Sequence, residues 1–136
     1  MKQLINISVL LFLFSISKIY GQTYNFETTD LSISVKDNTK KWSDFANPKD
    51  VKISVVLDTK KDRITIYSEI YQFFKIVNYK EKQIVNNRDI VSFDCVNQEG
   101  TKCLLAIHTI NDQKNSNQLY VYFKDIVLIY NMIYVE

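Results

Sequence analysis

The sequence predicts an all-β protein: one antiparallel domain of about eight strands, as an up-and-down barrel or a two-sheet sandwich, behind an N-terminal signal peptide. Three observations lead there. Ile, Val, Tyr and Phe dominate the apolar set, while alanine occurs only at Ala46 and Ala106. That is the composition of pleated, half-buried strands, not of helices. Short apolar runs recur along the chain with polar turns between them, and 136 residues suit one domain.

The first 21 residues stand apart. Met1-Lys2-Gln3 is a basic start, Leu4 to Ile16 is mostly apolar, and Lys18 and Gly21 follow. This is the three-part layout of a secretory signal peptide, cut between Gly21 and Gln22. The apolar run is shorter than the roughly 20 residues of a spanning helix. The expected organisation is therefore a cleaved segment 1–21 and a β-domain 22–136, exported to the periplasm or the cell exterior, with no transmembrane segment after cleavage.

Charge belongs to the same segment. The full chain has 17 Lys and Arg against 15 Asp and Glu, and the excess is Lys2 and Lys18. A domain of zero net charge is a poor nucleic-acid binder, because phosphate neutralisation needs clustered cations. Two glycines, Gly21 and Gly100, exclude glycine-rich phosphate loops.

The strands follow in order. Leu31 to Val35 alternates apolar residues with serine. Lys36 to Lys41 is a polar turn, and Trp42 to Asp50 has the Trp42–Phe45 spacing of one helical turn. Lys52 to Leu57 and Arg63 to Tyr67 form a hairpin about Asp58-Thr59-Lys60-Lys61-Asp62, pairing Leu57 with Ile64 and Val55 with Ile66. Ile70 to Val77 is a strand in which Phe73 and Phe74 point to opposite faces. Tyr79 to Asp89 is a polar connection, and Asn111 to Gln118 is a loop without apolar residues. Leu119 to Phe123 and Ile126 to Val135 form the last hairpin. Both faces of its second arm are apolar, so it is either covered on both sides or presents a patch.

The most specific local signal surrounds the two cysteines, Cys95 and Cys103. Gln98-Glu99-Gly100 reads as a three-residue hairpin loop with Gly100 in the left-handed position. Cys95 then faces Cys103, Phe93 faces Leu105 and Val91 faces Ile107, all on one apolar face. An even cysteine count in an exported chain favours a disulfide, so a Cys95–Cys103 bridge is expected.

Catalytic signals are weak. His108 is the only histidine, and a histidine base needs a carboxylate and a nucleophile beside it. Asp58 and Asp62 flank a lysine-containing turn, which points to a solvated turn rather than an acid/base pair. No zinc or calcium pattern appears, and no cofactor or metal is expected. The expected function is that of an exported, non-enzymatic domain that binds a protein partner through Tyr120, Tyr122, Tyr130 and Tyr134. One alternative is a barrel carrying a small apolar ligand in a cavity lined by Phe73, Phe123, Leu128 and Met132. A second is a small secreted hydrolase built on His108.

Overall fold

A computed structural model describes residues 22–135. The expected signal segment 1–21 and its expected cleavage site lie outside the described residues. Ten strands form one antiparallel sheet: β1 Thr23–Val35, β2 Lys49–Asp50, β3 Ser54–Asp58, β4 Arg63–Ile66, β5 Gln72–Tyr79, β6 Gln83–Val85, β7 Arg88–Asn97, β8 Lys102–Ile110, β9 Asn117–Tyr122 and β10 Ile126–Val135. No helix occurs among the described residues, so none is long and apolar enough to cross a membrane.

The sheet closes on itself. Chain neighbours pair in turn from β3 to β5 and from β7 to β10, β5 pairs with β7, and β10 returns to pair with β1, which pairs with β3. β2 continues the line of β3 along β1, through Lys49 opposite Leu31. β6 continues the line of β5 along β7, through Gln83 opposite Ile90. The result is an eight-stranded up-and-down barrel with two interrupted staves. Closure removes the unpaired edges an open sheet would present.

Alternation divides the side chains. Inward residues include Phe26, Val55, Ile64, Ile66, Phe74, Phe93, Leu105, Leu119, Val121, Tyr130 and Met132, all buried in one core. Outward residues on β9 are Gln118, Tyr120 and Tyr122, each half-buried. The lower rim holds the start of β1, the β3–β4 turn and the start of β7. The upper rim holds the β7–β8 and β9–β10 turns.

The hairpin registers agree with the sequence reading. Leu57 faces Ile64 and Val55 faces Ile66. Cys95 faces Cys103, Phe93 faces Leu105 and Val91 faces Ile107. Gly100 has φ +83°, and its N–H closes the turn on the Asn97 carbonyl at 3.0 Å.

The disulfide expectation is corrected: both thiols are free. The Cys95 thiol instead donates to the Phe93 carbonyl at 3.6 Å. Pairing parity gives the reason. Asn97 N–H bonds the Thr101 carbonyl at 3.0 Å, so the pair two residues down, Cys95–Cys103, is again a hydrogen-bonded pair. Cβ atoms at such pairs stand at the wide end of about 4.5–5.5 Å, beyond the roughly 3.8 Å of an unstrained bridge.

Other boundaries move. β1 begins at Thr23, eight residues before the expected strand, because Asn25, Glu27 and the Thr28-Thr29-Asp30 run hide its alternation. Residues 42–48 form no helical turn. They run beside β1 instead, with Ser43 N–H on the Val35 carbonyl at 2.8 Å and Ala46 N–H on the Ile33 carbonyl at 3.3 Å. Asn117 and Gln118 belong to β9 rather than to the preceding loop.

Candidate functional site

The recess at the lower rim is built from inward positions of four staves. β1 supplies Tyr24 and Phe26, β3 supplies Leu57, β7 supplies Val91 and Phe93, and β8 supplies Ile107. Tyr79 stands at one side, with Gln22 and Thr59 at the edge, around a cavity of about 530 Å³. No charged side chain lines it. That volume lies in the range of small-molecule sites, and an eight-stranded barrel is just wide enough for one small ligand.

Local pairing orders the rim. Thr59 Oγ1 donates to the Gln22 carbonyl at 2.8 Å, and Gln22 N–H returns to Thr59 Oγ1 at 3.3 Å. The Tyr24 hydroxyl donates to Gln22 Oε1. Tyr79 donates its hydroxyl to Asp62 Oδ1 at 2.6 Å and sets its ring edge-on to Phe93, 5.6 Å between centroids. The polar tips at the rim are thus bonded to one another, and the ring faces and aliphatic groups are left for a guest. Asp58 serves its turn, with Oδ1 accepting Lys60 and Lys61 N–H at 3.0 and 3.1 Å.

The expected cavity residues are not this site. Phe123, Leu128 and Met132 do point inward, but they fill the core, and Phe123 packs against Phe74 at 6.3 Å. Phe73 is a correction: it lies outside the barrel, 36% exposed, with Arg63 over its ring at 5.8 Å. The reason is parity, because Phe74 takes the inward position opposite Ile64. Sequence reasoning missed the true recess because its residues come from β1, β3, β5, β7 and β8, and only barrel closure brings these together.

The expected tyrosine surface also divides. Tyr120 and Tyr122 share the outer face of β9, stacked at 5.8 Å. Tyr130 is a correction: it is an inward residue of the core, 3% exposed, and burial pushes its phenol pKa up. Tyr134 lies at the end of β10, half-exposed and edge-on to Phe26 at 5.6 Å.

Tyr120 stacks in turn on His108, with centroids 4.1 Å apart. His108 Nδ1 lies 3.3 Å from Arg88 Nη1, which also donates to Gln118 Oε1 at 2.6 Å. Arginine only donates, so Nδ1 accepts and the imidazole proton sits on Nε2. Burial, then the Arg88 charge, lowers the His108 pKa and favours the neutral ring. The His108 ring is thus held by Arg88 and Tyr120, and no carboxylate is hydrogen-bonded to it among the described residues. The cysteines are poor nucleophiles in this setting. Burial, then Cys103 and Asp94, pushes Cys95 up to about 12, and burial pushes Cys103 up to about 11. Among the described residues no group of three or more His, Cys, Asp or Glu could hold a metal.

Comparison with known proteins finds no matching family model, no curated protein that matches in sequence and no solved structure that matches.

Proposed function

We propose that this chain is an exported binding protein whose barrel takes up a small, neutral, apolar molecule at its lower rim. The observation that carries the reading is the recess of about 530 Å³ lined by Tyr24, Phe26, Leu57, Val91, Phe93 and Ile107, with no charged side chain. Apolar walls remove the guest's surface from water at about 25 cal/mol per Å². The lack of a buried cation argues for a neutral guest over a fatty-acid carboxylate, whose charge would go unpaired.

The test is titration with the neutral fluorescent hydrophobe N-phenyl-1-naphthylamine. Saturable enhancement that Val91→Trp or Ile107→Trp abolishes, in variants that still unfold cooperatively, supports the reading. Binding that survives both filled-recess variants overturns it.

A second reading, a protein partner, has one observation in its favour. At the upper rim Tyr67, Ile70, Tyr71 and Phe73 form an exposed apolar patch, with Ile70 80% exposed at its tip. Tyr67 and Tyr71 meet edge-on at 5.1 Å. Soluble domains seldom leave such residues clustered without a use. The same titration separates the two readings, because Ile70→Ser leaves recess binding unchanged. A photo-crosslinker at position 70 that yields no discrete adduct in cells producing the chain removes the partner reading.

A further inference from the structure

A second cleft lies on the outside of the barrel, away from the recess. The segment Trp42 to Ala46 forms a strap across the outer face, held by Ser34 Oγ donating to the Ser43 carbonyl at 2.7 Å and by Val35 N–H donating to Ser43 Oγ at 2.9 Å. Between strap and sheet is a cleft of about 530 Å³. Trp42 and Phe45 line it from the strap, Tyr120 and Tyr122 from β9, with Val127 beside them. The one charged side chain in its lining is Asp44.

We propose that this cleft is an aromatic cage for a small alkylated ammonium ion free in solution. Trp42, Phe45 and Tyr122 bring aromatic rings to the lining, beside Tyr120, whose own ring stacks on His108 and Tyr122, and a carboxylate supplies the counter-charge, which is the composition that binds quaternary ammonium groups. Three further observations favour this guest. The chain already places a cation on one of these rings, with Lys36 Nζ 5.7 Å from the Trp42 ring centroid. Asp44 makes no hydrogen bond or ion pair among the described residues, so its charge is open to a guest. The other polar groups are largely committed: Ser34 and Ser43 fix the strap, and the Tyr120 hydroxyl donates to Gln118 at 3.3 Å. The Trp42 Nε1–H and the Tyr122 hydroxyl are the donors left for a sugar, and glucose is therefore the comparison guest. A bare metal ion or ammonium would lose its water against Trp42, Phe45 and Val127 without repayment in ligands, whereas alkyl groups suit those walls.

Trp42 is the only tryptophan of the chain, so its fluorescence reads the cleft directly. The experiment titrates the purified barrel with choline, with its uncharged carbon isostere 3,3-dimethyl-1-butanol, and with glucose. The expected result is a saturable Trp42 change with choline, and binding of the isostere weaker by about tenfold. Asp44→Asn, on an exposed residue, weakens choline by about fivefold or more. Lys36→Met removes the competing ammonium and tightens it. Equal binding of choline and the isostere, no saturable response to choline, tighter binding of glucose, or indifference to Asp44→Asn each overturns the proposal. N-phenyl-1-naphthylamine binding at the recess is unaffected by any of these outcomes, so the two sites are tested separately.

Discussion

The two rims of the barrel are built from the same alternating strands, yet the interior below the upper one holds a Phe74–Phe123 contact and the lower one leaves a recess. At the upper rim Phe74 and Phe123 meet across the interior, with Leu128 and the two cysteines beside them. At the lower rim the walls are Phe26, Leu57, Val91, Phe93 and Ile107, and Tyr24 and Tyr79 turn their hydroxyls to hydrogen-bond partners at the edge. β4 has only four residues and β5 leaves its ladder through an irregularity between Ile76 and Asn78. The difference teaches that topology sets the bore of a barrel, while the placement of the inward side chains decides whether the bore is filled: Phe74 meets Phe123, whereas Tyr24 and Tyr79 are drawn to partners at the edge.

Truncation at the two rims is the strongest way to break this comparison. Phe74 is fully buried, so Phe74→Ala is expected to cost about 3–5 kcal/mol in urea unfolding. Val91 borders space that is already empty, so Val91→Ala is expected to cost about 1 kcal/mol or less. Equal costs would mean that the lower rim is packed like the upper one.

A smaller effect tests the turn that sets the upper-rim register. A Cβ at Gly100 meets nothing within 4 Å, and only its φ of +83° resists substitution. Gly100→Ala is expected to lose about 1 kcal/mol, with the Cys95–Cys103 pairing kept. A much larger loss, or altered cross-strand contacts by NMR, would assign the turn a steric role the structure does not give it.

The smallest effect lies on the outer face. Because the folded protein holds the His108 pKa below its ordinary 6.5, the unfolded chain binds the proton more readily. His108 therefore contributes full stability above about 6.5, and this contribution is lost as the pH falls below that value toward the folded pKa. His108→Gln is expected to remove that part of the acid dependence, and Arg88→Gln to raise the His108 titration midpoint by NMR. A midpoint that stays put in Arg88→Gln would leave burial as the whole cause.

Much of this was legible from residue order. Local pairing follows from period-two alternation and turn chemistry, so Leu57–Ile64, Val55–Ile66 and the whole β7–β8 register were readable. The irregular staves were not: Asn25 to Asp30 is mostly polar and a bulge between Thr28 and Asp30 breaks the alternation of β1, and Trp42 to Phe45 mimics helical spacing while lying along β1. Phe73 and Phe74 do not declare in sequence which one faces inward, and only the folded sheet puts Phe74 inside.

What the sequence determined by itself was the all-β class, the hairpins and the faces within each hairpin, because these depend on neighbours a few residues apart. Only the tertiary structure decided that the sheet closes, through β10 on β1, and so which ends of distant strands surround empty space. It also decided that Tyr120 and Tyr122 look outward while Tyr130 is buried. In a strand with two apolar faces, hydrophobicity cannot choose the inside; closure of the barrel does.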